Sequence, residues 1–209
     1  MAPRALPPLD IEPRVNQYVE RTPGLHLSTI TTDIMVGLEP DKYGKGNDPR
    51  KWGNFMAGLV FERVLEIAWL DRECQFRSEL IRPGEIMVDG VIGTPDAYDT
   101  AKFRPEEYKC TKKSCRQDIT HVKFWVYWVQ LKAYCYMLKR LGMGCNSGAL
   151  YILHVNGNYS WDDGDPESGY IIKGWEDEWS DLQLEENWNM LLNHARSRGW
   201  HDGKQSTYL

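Results

Sequence analysis

The chain carries two carboxylates and a lysine at a spacing that two short neighbouring strands can bring together. Asp96 closes a Gly-Thr-Pro-Asp run, and Glu107 and Lys109 flank a single tyrosine further along the chain. Paired carboxylates hold divalent cations that polarise a phosphate and activate a bound water. A lysine beside them supplies a compact positive charge that can orient the water or offset developing negative charge. This set predicts metal-assisted hydrolysis of a phosphodiester bond, and the flanking elements make the pattern more specific.

The residues around this set predict alternating helices and short strands in one domain. Five prolines before residue 24 predict an extended arm over 1–24, followed by a single domain over 25–209. Asp48 and Pro49 are a favourable N-cap and first helical residue for a long helix. The periodicity predicts helices over 28–36 (capped by Ser28), 48–70, 121–141 and 176–198, and strands over 75–82, 85–92, 96–100, 107–111, 149–155 and 170–175.

The charge distribution favours a nucleic-acid partner although the whole chain carries a net charge of −5. Residues 102–140 hold ten Lys and Arg against three acids, which is a local charge of +7. Such a basic block beside the proposed catalytic residues is typical of a face that meets a phosphate backbone. The alternative is a solvated surface with compensating acids from elsewhere in the chain.

The first long helix carries a stripe of candidate site residues. Gly58, Glu62 and Glu66 recur at four-residue intervals and so share one face. A glycine in the middle of a helix predicts a close approach of other backbone, toward which Glu62 could then point. The alternative is that Glu62 pairs with a surface cation such as Arg63.

The second long helix carries a polar and aromatic stripe beside its apolar face. Lys123, Tyr127, Gln130 and Tyr134 form this stripe, and such residues suit contacts to phosphates and stacking on bases. The alternative is an amphipathic surface helix whose tyrosines are half-buried.

Composition sets the cellular context that we expect. The five cysteines are odd in number and sparse, which favours reduced thiols in a cytoplasmic protein. No apolar run approaches the roughly 18 residues of a membrane-spanning helix, and the N-terminal residues do not resemble a secretory signal. We therefore expect no membrane association.

Four motifs in order resemble the PD-(D/E)XK nuclease superfamily, in its RecB-type and phage exonuclease branch. The resemblance covers about residues 28–155. The matched elements are G-x-x-x-E at Gly58 to Glu62, G-x-x-D at Gly93 to Asp96, E-x-K at Glu107 to Lys109 and Q-x-x-x-Y at Gln130 to Tyr134. It implies an α/β fold with a restriction-endonuclease-like core, in which a mixed central β-sheet is flanked by α-helices.

The resemblance also implies the ligands and the roles of the site residues. Mg²⁺, with Mn²⁺ as a substitute, is expected on hard oxygen ligands, namely Glu62, Asp96, Glu107 and the Tyr108 carbonyl. Lys109 is expected to orient the attacking water. Gln130 and Tyr134 are expected to position DNA, with Lys112, Lys113, Lys123 and Tyr127 as further substrate-binding residues.

Two features depart from relatives in this superfamily. RecB-type nucleases often place a metal-binding histidine where this chain has Glu62, which agrees better with the lambda-exonuclease-like version and leaves Glu66 as a possible additional acid. The positions of the cysteines do not match those that hold an iron–sulfur cluster in CRISPR-adaptation relatives, so no such cluster is expected.

The function implied is a metal-dependent deoxyribonuclease, an exonuclease of DNA replication, recombination or repair of the kind that phages encode. DNA is the expected partner, together with a recombination or replication protein, and homo-oligomerisation stays open. The alternatives are a structure-specific endonuclease and a catalytically inactive nucleic-acid-binding module with the same fold. An intact set of Asp96, Glu107 and Lys109 favours an active enzyme.

Overall fold

The computed structural model describes residues 22–44, 56–64, 80–117, 119, 122–160 and 164–200. Within these ranges, helices flank two sheets. The helices are α1 (Leu27–Leu38), α2 (Pro40–Tyr43), α3 (56–64), α4 (Val122–Arg140) and α5 (Asp181–Ser197). The strands are β1 (Leu25–His26), β2 (Leu80–Ile81), β3 (Ile86–Val88), β4 (Val91–Gly93), β5 (Ala97–Asp99), β6 (Arg104–Thr111), β7 (Ser147–His154) and β8 (Ile171–Glu178).

The larger sheet has five strands in the order β2-β5-β6-β7-β8. Its central pair, β6 and β7, is parallel, and the other neighbours are antiparallel. The parallel pair needs a crossover, which α4 supplies between the two strands. The predicted mixed α/β architecture is therefore confirmed.

The smaller sheet corrects one predicted strand. Residues 85–92 were expected to form a single strand, but the chain turns at Asp89 and Gly90, and β3 pairs antiparallel with β4. Both turn residues have positive φ, 49° and 76°, as a tight hairpin that matches the strand twist requires. β1 adds to this hairpin in parallel and leads directly into α1.

Two helix starts also differ from the prediction. α1 begins at Leu27 after an extended His26, one residue before the predicted cap at Ser28, because the chain enters the helix straight from β1. Residues 176–178 belong to β8 rather than to the last helix. α5 begins after Ser180, whose side chain and that of Gln183 form a capping box at this end.

The core lies between the helices α1, α4 and α5 and one face of the sheets. α4 buries Phe124, Leu131 and Leu138 against Leu150 and Ile152 of β7. α5 packs on α4, where the rings of Trp188 and Tyr136 stack with centroids 5.0 Å apart. This fixes the face of α4 that is directed toward β6, on which two of the candidate catalytic residues lie.

The opposite face of the larger sheet contacts α3. Phe61 is buried with Leu80, Ala97 and Tyr108 in a small apolar cluster. The rest of the predicted helix 48–70, most of the predicted strand 75–82 and nearly all of the predicted N-terminal arm lie outside the described residues. In the part of the chain that the structure describes, every helix is too short or too polar to cross a bilayer.

Candidate active site

The β5–β6 hairpin brings Asp96 next to Glu107 and Lys109, as the spacing predicts. Ala97 pairs with Glu106 in the antiparallel ladder, so Asp96, which precedes β5, lies beside the middle of β6. Its Oδ2 accepts a hydrogen bond of 2.7 Å from the backbone N–H of Tyr108. The Asp96 carboxylate is thereby held against the strand that carries the other two residues.

Glu107 and Lys109 share one face of β6 because alternate residues of a strand point the same way. Their side chains form an ion pair. Tyr108 points to the opposite face, where its hydroxyl donates a 2.9 Å hydrogen bond to Glu106. The Tyr108 side chain thus belongs to the core beneath α3, and a metal-ligating role for its carbonyl stays a prediction.

One oxygen of Glu107 has no partner among the described residues. The Glu107 side chain is only 1% exposed, and its Oε2 is a buried acceptor without a hydrogen bond. A buried carboxylate oxygen left unpaired carries a large desolvation cost. An oxygen-rich position of this kind fits a hard divalent cation, which would supply the missing partner.

Glu62 is a third carboxylate near this position. It lies on α3, and its negative charge contributes to raising the pKa of both Asp96 and Glu107. Its side chain forms an ion pair with the exposed Arg82, so the alternative that Glu62 pairs with a surface cation holds, with Arg82 as that cation. Among the described residues, no group of three or more His, Cys, Asp or Glu side chains is arranged to hold a metal ion, so a place for Glu62 in the ligand set stays a prediction. Glu66 lies outside the described residues.

The close approach predicted at Gly58 is not seen in the described part of the chain. A Cβ placed on Gly58 would meet no described atom within 4 Å. The position of Glu62 therefore depends on the packing of its neighbour Phe61 against the sheet, and the helix tolerates Gly58 without a visible steric need for it.

The electrostatics of the site show charges gathered where water has limited access, since Glu107 is buried and Asp96 and Lys109 are half-buried. Burial raises the pKa of Asp96 well above its usual range, the charge of Glu107 raises it further, and Lys109 partly offsets both. Burial likewise raises the pKa of Glu107, against the lowering effect of Lys109. Burial alone would lower the pKa of Lys109, but the charges of Glu107 and Asp96 outweigh it, so the lysine stays protonated.

These shifts predict opposite stability effects for two isosteric substitutions in metal-free protein. We expect Asp96→Asn to raise the free energy of unfolding by roughly 1 kcal/mol or more, because it removes a buried charge and keeps an acceptor for the Tyr108 amide. Glu107→Gln should lower it by roughly 1–3 kcal/mol, because it leaves Lys109 without its carboxylate. Urea denaturation in EDTA at neutral pH measures both.

The pH dependence supplies a further check on Asp96. A carboxyl group whose pKa is raised on folding binds its proton more readily in the native state, so its contribution to stability decreases as pH rises through the interval between the two pKa values. The difference between Asp96→Asn and the parent should therefore shrink on acidification. A difference that is constant from neutral pH to about pH 4 would contradict a net cost of the buried charge.

Gln130 and Tyr134 lie next to the catalytic strands, but Tyr134 is buried. It is 3% exposed, and its hydroxyl accepts a 2.7 Å hydrogen bond from Gln130 and another from the backbone N–H of Thr94. A Cβ on Gly93 would come within 3.0 Å of the Tyr134 ring. This places Tyr134 beneath the loop that presents Asp96, where it positions that loop and offers no surface on which DNA could lie.

The other predicted substrate-binding residues are spread around the start of α4. The Tyr127 ring lies 5.6 Å from Lys109 Nζ, and Lys113 Nζ lies 4.9 Å from the Phe124 ring. Lys112 is exposed. The side chain of Lys123 lies outside the described part of the chain. Lys109 and Lys113 therefore lie at one end of α4.

Three cations of the basic block are compensated by acids that follow it in sequence. Arg104 pairs with Glu176. Arg116 pairs with Glu167 at 2.6 Å, and Lys139 pairs with Asp181 at 2.5 Å. The alternative of compensating acids thus holds for these three, and the basic surface is narrower than the local charge of +7 suggests.

Lys112 and Lys113 remain the cations of this block best placed to test nucleic-acid binding. We expect the double substitution Lys112→Gln/Lys113→Gln to weaken binding of duplex DNA and to reduce the slope of log affinity against log salt by about two, since fewer counterions are released. Fluorescence anisotropy between 50 and 200 mM salt in Ca²⁺ measures both quantities. An unchanged slope would mean that this turn faces away from the nucleic acid.

Arg82, which contacts the predicted metal ligand Glu62, is not identified by any pattern in the sequence. Arg82 follows the short edge strand β2, and it comes 20 residues after its partner Glu62. No periodic pattern links a helix residue to a residue that follows a strand. The only local feature is that Arg82 precedes a Pro-Gly turn, and this feature does not identify Glu62 as the partner of the arginine.

Comparisons with known proteins give matches among solved structures. No family model matches the chain, and no curated protein matches it. The crystal structure of SSO0001 has a TM-score of 0.44 and 13% identity, over 88% of this chain and 83% of that one. A phage-related exonuclease from Haemophilus somnus 129PT has a TM-score of 0.45 and 12% identity, over 84% and 80%. LHK-Exo in complex with dAMP has a TM-score of 0.36 and 17% identity, over 84% and 89%.

One of these three proteins is described as a phage-related exonuclease. Because each of the three TM-scores lies below 0.5, the geometry around Asp96, Glu107 and Lys109 carries the functional conclusion.

Proposed function

We propose that this protein is a Mg²⁺-dependent deoxyribonuclease that hydrolyses phosphodiester bonds, and that it acts as an exonuclease in DNA replication, recombination or repair. The observation that supports this most strongly is the buried Oε2 of Glu107, which has no hydrogen-bond partner among the described residues, beside Asp96 and a protonated Lys109. A structural ion pair would need only one carboxylate for the lysine. A second carboxylate, Asp96, placed beside Glu107 at such a cost is explained by a cation that the two would hold.

Glu62, Asp96 and Glu107 would hold the divalent cation, with the Tyr108 carbonyl as a further ligand. Their donors are all oxygens, which suits Mg²⁺ or Mn²⁺ better than a softer metal. When bound, the cation would polarise the scissile phosphate and lower the pKa of a coordinated water. Glu107 is held by its ion pair with Lys109, and Asp96 is held by its hydrogen bond from the Tyr108 amide. These two carboxylates are therefore already fixed in the metal-free protein.

Lys109 is the residue that we assign to chemistry. It stays protonated at neutral pH because the charges of Glu107 and Asp96 raise its pKa, so it can donate a hydrogen bond to the attacking water and offset charge on the phosphate. It does not act as a general base in this protonation state. Tyr134 supports the 93–96 loop from below, and Gln130 fixes the Tyr134 hydroxyl.

Cleavage of matched linear and circular substrates tests the proposal. We expect release of mononucleotides from end-labelled linear duplex DNA in Mg²⁺ or Mn²⁺, no cleavage in EDTA and an intact covalently closed circle. Nicking of the circle would instead identify a structure-specific endonuclease. Binding of DNA without cleavage of either substrate in either metal would identify a catalytically inactive binding module.

A further inference from the structure

Tyr159 is an exposed tyrosine held in a strained backbone conformation. It lies in the loop that follows β7 and is 63% exposed. Its φ angle is 70°, in the left-handed region that bulky side chains rarely adopt. Such strain persists only where the surrounding structure enforces it, and it is common at binding sites. An aromatic ring that is held in solvent in this way points to a use for the ring.

Hydrogen bonds brace this tyrosine against the turn after β6, which carries Lys112 and Lys113. The Tyr159 hydroxyl accepts a 3.0 Å hydrogen bond from the backbone N–H of Ser114. On the buried side of the same turn, His154 Nδ1 donates a 2.9 Å hydrogen bond to the Lys113 carbonyl. The ring is therefore fixed beside the two lysines.

Both described acids of the Tyr159 loop are compensated by cations. Glu167 pairs with Arg116 at 2.6 Å and with Lys173 at 2.9 Å. Asp165 lies 3.5 Å from Arg116. Because these carboxylates are neutralised, they offer little repulsion to a phosphate that approaches the exposed Lys112.

The lysine turn lies on the same side of the molecule as Lys109. Lys109 Nζ is 5.6 Å from the Tyr127 ring, and Lys113 Nζ is 4.9 Å from the Phe124 ring. The centroids of these two rings are 6.0 Å apart. Along the chain, Lys112 follows Lys109 after about 10 Å of extended backbone. A strand bound at Lys109 can therefore reach the turn within a few nucleotides.

An exposed ring beside lysines suits an unpaired nucleic-acid strand. Bases of any identity stack on tyrosine, and a basic surface follows the backbone between them. Within a duplex, the neighbouring base pairs cover both faces of each base. A single ring fixed in a loop can therefore stack only on a base in a single strand or at an open end.

We propose that Tyr159 stacks on an unpaired base of a strand whose phosphates contact Lys112 and Lys113, next to Lys109. Tyr159 is thus a substrate-binding residue, and it favours a single-stranded or frayed end over the interior of a duplex. The inference rests on the proposed function, because it takes a nucleic acid as the substrate.

Binding to two strands that differ only in their bases tests it. Fluorescence anisotropy in Ca²⁺ compares an oligothymidylate of about 12 nucleotides with an abasic strand of equal length and charge. The parent should bind oligothymidylate roughly 5- to 50-fold more tightly than the abasic strand, the scale of base stacking. Tyr159→Asn should lose at least about fivefold in affinity for oligothymidylate and less than about twofold for the abasic strand. Its salt slope should equal that of the parent, because the substitution removes no charge.

Three features of the variants keep the test specific. Asparagine adopts left-handed backbone readily, so Tyr159→Asn should keep the path of the loop. Tyr159→Phe keeps the ring without the hydroxyl and should bind oligothymidylate within about threefold of the parent. Phe103→Asn is the matched control and should bind both strands as the parent does, since Phe103 is 61% exposed with a φ of 53° in the turn at the opposite end of β6. Circular dichroism melting curves verify that each variant is folded.

A purely structural role for Tyr159 predicts a different pattern. If its hydroxyl only braced the turn, Tyr159→Phe and Tyr159→Asn would weaken binding of both strands alike, and the inference would be overturned. The same conclusion follows if the parent does not distinguish the two strands, or if Tyr159→Asn binds oligothymidylate as tightly as the parent. An equal loss of affinity for a blunt duplex would overturn the preference for an unpaired strand.

These outcomes also separate the inference from the proposed function. If the parent binds neither strand and no duplex, the proposed function fails, and the role of Tyr159 fails with it. If the parent binds DNA but the Tyr159 variants do not follow the expected pattern, only the Tyr159 inference is overturned.

Discussion

Asp96→Ala should abolish cleavage in Mg²⁺, with activity falling below the detection limit of an assay that resolves about a thousandfold loss. The carboxylate lies beside Glu107 and Lys109 and is held in place by the Tyr108 amide. Glu107→Ala should act in the same way, and both variants should lose measurable binding of Mn²⁺ in calorimetry. Both variants should be inactive because they no longer bind the metal.

The matched control is Glu185→Ala, which removes an exposed carboxylate from α5. It should keep the parent rate and the parent metal affinity. If Asp96→Ala retained cleavage at a rate within tenfold of the parent, Asp96 would not be a ligand of the catalytic metal.

Lys109→Ala should reduce turnover by about two orders of magnitude or more, the usual scale for losing one electrostatic stabiliser of the transition state. Metal affinity should be kept or increased, because the substitution removes a positive charge next to Glu107. DNA affinity in Ca²⁺ should change by less than tenfold, since one phosphate contact at most is lost.

Single-turnover rates with saturating enzyme separate this effect from weaker binding. The control is Lys102→Ala, an exposed lysine in the turn of the same hairpin, which should cleave at the parent rate. A Lys109→Ala variant that cleaves normally while Asp96→Ala is inactive would mean that the carboxylates form a metal site of another kind.

The sequence predicts the centre of this site well because strand geometry determines it. Glu107 and Lys109 are two residues apart, so any strand through them directs both to one face. Asp96 needs only a hairpin with β6 to join them, and the turn between β5 and β6 is short. The order of helices and strands is also largely predictable from the sequence, because the apolar residues of each long helix recur at the helical period.

The remaining features depend on contacts between distant residues. β8 continues through three acidic residues, a composition that disfavours a strand, and Glu176 among them pairs with Arg104 of β6. The Asp89 turn, by contrast, carried a local hairpin signal, Asp-Gly, that the apolar run around it obscured. The pairing of Arg82 with Glu62 and the burial of Tyr134 follow from packing between elements, for which a single sequence holds no periodic signal.

The most direct test of a metal-dependent active site at Asp96, Glu107 and Lys109 is the initial rate at which the parent protein cleaves end-labelled duplex DNA in Mg²⁺, measured against the same reaction in EDTA and against Lys109→Ala in Mg²⁺. This active site predicts cleavage by the parent in Mg²⁺, none in EDTA and a rate at least about a hundredfold lower for Lys109→Ala. Cleavage that persists in EDTA, or a parent protein that binds Mn²⁺ at Asp96 and Glu107 yet cleaves no DNA, would contradict it.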